Sequence, residues 1–202
     1  TLSITKPEDK KIAYILFDPE NRIVKRETFE QPVKVLKAKA MKAPYMIARY
    51  DAVKKLRGKA STAKLEALRA IYTAADHHLV RQEVLKQLTQ YPAEKVIPLL
   101  RKGLTADHHE VRRVVLKQLD DIPRPLIPLY EKSLKDSSFR NIELALRQLV
   151  EHQPRNLGTY LTTTKGIKGL DNHNVRLTWL ERAAAYKSQS YTEQLVLYAS
   201  GN

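Results

Sequence analysis

The chain has 202 residues, 43% of them hydrophobic and 29% charged, and its 36 basic against 22 acidic side chains give a net charge of +14. That length suits one large domain or two small ones with a buried core, and no apolar run approaches the roughly 20 residues that cross a bilayer. The absence of cysteine excludes disulfides, thiolate metal sites and thiol nucleophiles, and it leaves the redox compartment open.

A basic surface attracts nucleic acid, anionic membrane or an acidic partner. The charge is uneven, however: residues 1–60 hold 15 basic and 7 acidic side chains, whereas residues 61–202 hold 21 and 15. The helical bulk is therefore only mildly basic. The chain opens "TLSITKPEDKK", with no initiator Met, apolar targeting core or small-residue cleavage site, and this reads as an internal cut.

The first forty residues differ from the rest. "KIAYILF" (residues 11–17) and "RIVKRETF" (residues 22–29) are rich in β-branched and aromatic residues and flank "DPEN". The pattern predicts a β-hairpin, with Asp18 and Asn21 bonding local backbone and Pro19 pre-setting the turn. Ile12, Tyr14, Ile15, Leu16 and Phe17 put apolar side chains on both faces of the first strand. A two-stranded hairpin is marginal alone, so this one needs further sheet to cover it.

From Pro32 onward apolar residues recur three and four apart, interrupted at Pro92, Pro123, Pro125, Pro128 and Pro154. "ADHHLVRQEVLKQL" (residues 75–88) returns as "ADHHEVRRVVLKQL" (residues 106–119). The unit extends to "ARYDAVKKL" (residues 48–56), "NIELALRQL" (residues 141–149) and "VRLTWLERA" (residues 175–183). A period near 30 built from paired helices marks an α-solenoid, whose units bury their apolar faces only against their neighbours. The spacing resembles short HEAT-like repeats. First helices such as "AEKVIPLLRKGL" and "RPLIPLYEKSL" place Pro98 and Pro128 in matching positions. The turn Asp before each second helix (Asp76, Asp107, Asp136, Asp171) is expected to cap it.

Two recurrent residue sets are candidate sites. His77 with His78, and His108 with His109, occupy corresponding turns, and adjacent repeats stack about 10 Å apart. Zinc needs ligands about 2 Å away converging on one point, whereas such turns face water, so copying of the repeat unit accounts for the pairs more simply. Arg49, Arg81, Arg112 and Arg176 recur one residue after the apolar start of their helices and form a column when the repeats stack. Each guanidinium either bridges to a turn Asp, as a structural ladder, or faces a groove and takes phosphate or a peptide carboxylate. The joint recurrence of Asp and Arg favours the ladder. Trp179 reads as core, and the tyrosines scatter through helices instead of forming an RNA-stacking platform.

No HExxH, GxSxG, GxxxxGK[ST] or GxGxxG is present, and "HHEVR" (residues 108–112) lacks the second His of a zinc-peptidase helix. Nothing in this stretch is expected to break a bond unaided. The order of "AYILFDPENRIVKRETF", a helix, "APYMIARYDAVKKL" and then HEAT-like helices resembles the C-terminal part of zinc aminopeptidases of the aminopeptidase N type. The resemblance spans most of the chain and is strongest over residues 14–56. It implies a mostly α fold: a HEAT-like solenoid of about five helix pairs over residues 32–202, preceded over residues 1–31 by a β-hairpin left from a β-sandwich.

The family's HExxH with its distal Glu, and its GxMEN motif, match no positions here, so no ligand or catalytic residue carries over. What is implied is a non-catalytic module that closes the active-site cavity and limits which peptides enter. Its partners would be the catalytic and β-sandwich domains of a parent chain and, indirectly, peptide substrates. Zinc belongs to that parent enzyme, with no cofactor in this stretch and no membrane partner. An exposed, self-associating apolar patch is expected where sandwich strands are missing. A free-standing HEAT-like protein-binding scaffold is the alternative. A nucleic-acid binder, or a relative of HEAT-like alkylpurine glycosylases, ranks below both, because basic charge is heaviest before the repeats begin.

Overall fold

The structure is a computed structural model and describes residues 12–18, 22–23, 30–59, 61–167, 173–185, 192 and 196. Over these residues the chain is all-α, with no strand, and no helix is long and apolar enough to cross a membrane. It divides into two compact units, Thr1–Leu88 and Thr89–Asn202. The boundary expected after Gln31 falls inside the first of them.

In the first unit α1 (Val33–Lys42) begins after Pro32, whose carbonyl accepts the amides of Val35 and Leu36. It stops at Ala43, which donates to the Lys39 carbonyl and is followed by Pro44, a residue with no N–H to continue the ladder. Helices α2 (Met46–Lys55), α3 (Thr62–Ala74) and α4 (His78–Leu88) follow. α2 and α3 each pack against both α1 and α4. Their shared core holds Leu36, Val53, Leu56, Leu68, Ile71, Val84, Leu85 and Leu88, none of them measurably exposed. Each such side chain contributes about 1.5–3 kcal/mol by leaving water. Ala40, Ala48 and Ala52 are buried between these helices and allow them to approach closely.

One charged cluster is packed into this core. Glu83 on α4 is fully buried and accepts the Arg57 fork at 2.6 and 2.5 Å, which raises the Arg57 pKa and keeps the guanidinium charged. Gln87, one turn on, donates to Glu83 at 2.9 Å and to the Val53 carbonyl of α2 at 2.8 Å. The Lys64 ammonium donates to the Arg57 carbonyl, and its burial lowers its pKa.

Residues 12–16, expected as the first hairpin strand, have no regular secondary structure. Most of the second strand, residues 24–29, and the turn residues 19–21 lie outside the described residues. Asp18 does organise the chain there: at φ 46° its carboxylate accepts the amides of Arg22 and Ile23 at 3.0 and 2.9 Å. The expected apolar surface is present. Ile12, Ile15, Phe17 and Ile23 are 46–60% exposed, and a 460 Å3 groove is lined by Ile12, Tyr14, Ile15, Phe17, Pro32 and Val35 among others.

The second unit contains α5 (Ala93–Leu104), α6 (His109–Gln118), α7 (Ile127–Ser133), α8 (Phe139–His152), α9 (Leu157–Thr164) and α10 (His173–Ala185). Short 3-10 turns, Arg124–Leu126 and Pro154–Asn156, lead into α7 and α9. Each of these turns carries a proline in its first two positions, where the missing N–H costs nothing. Pro98 lies inside α5 on the solvent side, whereas Pro128 opens α7, so the aligned prolines serve different local geometries. α6 packs on α8 and α8 on α10, while α5, α7 and α9 pack on α6, α8 and both α8 and α10 respectively.

Two buried aromatic side chains tie this unit together through their polar ends. Tyr130 donates to the Val115 carbonyl at 3.0 Å and is pushed to a higher pKa by burial. Trp179, 3% exposed, donates to the Leu161 carbonyl at 2.7 Å. A buried indole or phenol needs such a partner.

Candidate functional site

The four arginines of the expected column have distinct surroundings. In the first unit Arg49 places Nε on the Ala43 carbonyl and Nη1 on both oxygens of Asp76, at 2.9 and 3.0 Å. Arg81 sets Nε on the Ala75 carbonyl at 2.9 Å. In the second unit Arg112 uses all five of its N–H donors. Nε and Nη2 grip Asp136 at 2.6 and 2.7 Å, Nη1 reaches the carbonyls of Ala106 and Asp107 at 2.7 Å each, and Nη2 also meets Ser137 Oγ at 3.2 Å. The Arg176 guanidinium lies 5.1 Å from the centroid of the Trp179 ring, a cation–π distance.

A local rule unites the first three: each Arg bonds the carbonyl six residues before it, that of an Ala at or one residue past the C-cap of the preceding helix. Helix ends leave carbonyls without intrahelical partners, and a guanidinium both satisfies them and suits the negative end of the dipole. Burial alone would push the Asp136 carboxyl up. The Arg112 fork, the Ser138 amide and the Asn141 side chain outweigh it and hold the carboxyl below its usual range. Arg112, in turn, is raised by its bonds to Asp136. At Asp76 the Arg49 bonds likewise lower the pKa, here on an exposed carboxylate.

The His pairs stack within each turn, with ring centroids 4.6 Å apart for His77 and His78 and 5.1 Å for His108 and His109. His77 Nδ1 accepts the Leu79 amide at 3.2 Å, and His108 Nδ1 accepts the Glu110 amide at 3.3 Å. The first imidazole of each pair thus caps the helix, the role expected of the turn Asp. The Asp76 carboxylate is held mainly by Arg49 and also by the local amides of Asp76 and His77, and Asp136 accepts the Ser138 amide at 2.8 Å. Asp171 lies outside the described residues. A metal would need the lone pair that His77 and His108 give to these amides. Among the described residues no group of three or more His, Asp or Glu side chains converges as a metal site requires.

A cleft of about 710 Å3 lies within the second unit, between the turn after α5 and the end of α7. Its floor is the Arg112–Asp136 pair, and Asp107, Glu131, Lys132 and Lys135 stand around it. Lys132 matches Lys102 of the preceding first helix and Lys135 matches Thr105, but the recurrent candidates lie in the second helices and their turns, which singled out Arg112 instead. A smaller cleft of 390 Å3 holds His109, Ser137, Ser138, Phe139 and Arg140. No family model, no curated protein and no solved structure matches the chain.

Proposed function

We propose that the chain is a non-catalytic, HEAT-like helical module of a zinc aminopeptidase, closing the cavity in which peptides are cut and limiting their access. In this reading the zinc and the bond-breaking groups belong to other domains of a parent chain. The observation that carries it is the exposed apolar surface of Ile12, Ile15, Phe17 and Ile23 beside a 460 Å3 apolar groove. Large contiguous apolar surface marks an interaction site, and here it falls on the segment whose sequence resembles the closing hairpin of a β-sandwich. The serial packing of α6, α8 and α10, with first helices laid against them, supports a solenoid within the second unit.

The test is to isolate the native polypeptide from its source cells and assay it for bound zinc and for release of amino-terminal residues from aminoacyl anilides. Near-stoichiometric zinc with activity is expected of the native species, and neither of the isolated 202-residue chain. A native species lacking both would overturn the reading. The alternative is a free-standing scaffold for a protein partner, favoured by the 710 Å3 cleft, which needs no parent enzyme to have a use.

A further inference from the structure

We infer that the cleft between the turn after α5 and the end of α7 binds short peptides with free termini, with Lys132 and Lys135 taking the carboxylate and Asp107 taking the amine. This deepens the peptide-handling part of the proposed function and rests on it.

The cleft's volume, about 710 Å3, falls within the roughly 300–1,000 Å3 of small-molecule sites. Its charges fall into two groups. Arg112 and Asp136 satisfy one another, and Arg112 has no donor left for a ligand. Glu131 accepts the Tyr160 hydroxyl at 3.0 Å. Lys132, Lys135 and Asp107 are exposed, and among the described residues none of their side chains makes a hydrogen bond or ion pair, although the Asp107 carboxylate also helps hold the Arg112 guanidinium charged. Two lysines and a carboxylate therefore line one cleft with no ion pair formed between them. A ligand with a cation at one end and an anion at the other offers a partner to each kind of group. Leu104, Ala106 and Leu129 add apolar surface to the same cleft, which suits small side chains. The Arg112–Asp136 floor fixes the two turns that carry the ligand groups, so Arg112 acts here as a positioning residue.

The probe is tetra-alanine with free termini, titrated by calorimetry into the 202-residue chain beside its N-acetylated and C-amidated forms. Blocking either end is expected to weaken binding about tenfold, the usual scale for a charge-assisted bond. Lys132→Ala/Lys135→Ala should abolish the discrimination against the C-amide and keep that against the N-acetyl form; Asp107→Asn should do the reverse. Lys102→Ala/Lys117→Ala removes the same charge from exposed positions outside the cleft and should change nothing. The inference is overturned if the N-acetylated or the C-amidated form binds as tightly as the free peptide, if no saturation is reached by about 10 mM, or if the control pair weakens binding as much as the cleft pair. These outcomes do not depend on zinc or activity in the native polypeptide, so this inference and the proposed function fail separately.

Discussion

Arg49–Asp76 in the first unit and Arg112–Asp136 in the second are the same pair in sequence terms, an Arg early in a second helix and the Asp of a later turn. In the first the carboxylate side chain is 73% exposed; in the second it is 3% exposed and its Arg 14%. An exposed pair gains little because water screens it and two side chains lose freedom, so its worth is about 0–1 kcal/mol. A buried pair offsets a desolvation penalty of several kcal/mol only while both partners are present. One repeated motif thus yields a surface ornament in one unit and a structural bolt in the other.

That contrast breaks most sharply at Asp136. Asp136→Ala strands the Arg112 charge and is expected to cost about 3–5 kcal/mol in denaturant melts of the second unit, whereas a cost below about 1 kcal/mol would put the two pairs in one class. Acid titration sharpens the comparison. The folded-state pKa of Asp136 is depressed, so its stabilisation is fully present above the unfolded carboxyl pKa near 4 and is lost as pH falls through the lower folded value. The acid limb of the stability curve should flatten in Asp136→Ala. A smaller loss, about 0.5–2 kcal/mol, is expected of His108→Ala, which removes the acceptor from the Glu110 amide; an unchanged melt would assign the imidazole no capping role. Smallest of all, Asp76→Ala should cost no more than about 1 kcal/mol, and less still at high salt.

Much of the helical order was legible because the repeat copies its apolar positions: α4, α6 and α8 coincide with the quoted motifs. The opposition of Arg to turn Asp was legible for Arg49 and Arg112 from their joint recurrence. The carbonyls of Ala43, Ala75 and Ala106 were not, because a backbone acceptor has no side-chain signature and an Ala reads only as a small core residue. Burial of Glu83 was hidden for a related reason. A Glu inside "VRQEVLKQL" looks solvent-facing, and its partner Arg57 stands 26 residues away in a loop turn. Histidine as a cap was missed because its chemistry suggested metal first. Lys132 and Lys135 did not stand out, since they acquire meaning only when two turns enclose a cleft.

The most direct test of the central claim is the intact mass of the native polypeptide, detected in source cells through the peptide "QLTQYPAEK" of residues 87–95. The account predicts a species several times larger than the 23.2 kDa of this chain, with the zinc-binding domain upstream. A native species near 23.2 kDa would contradict it and leave the free-standing scaffold in its place.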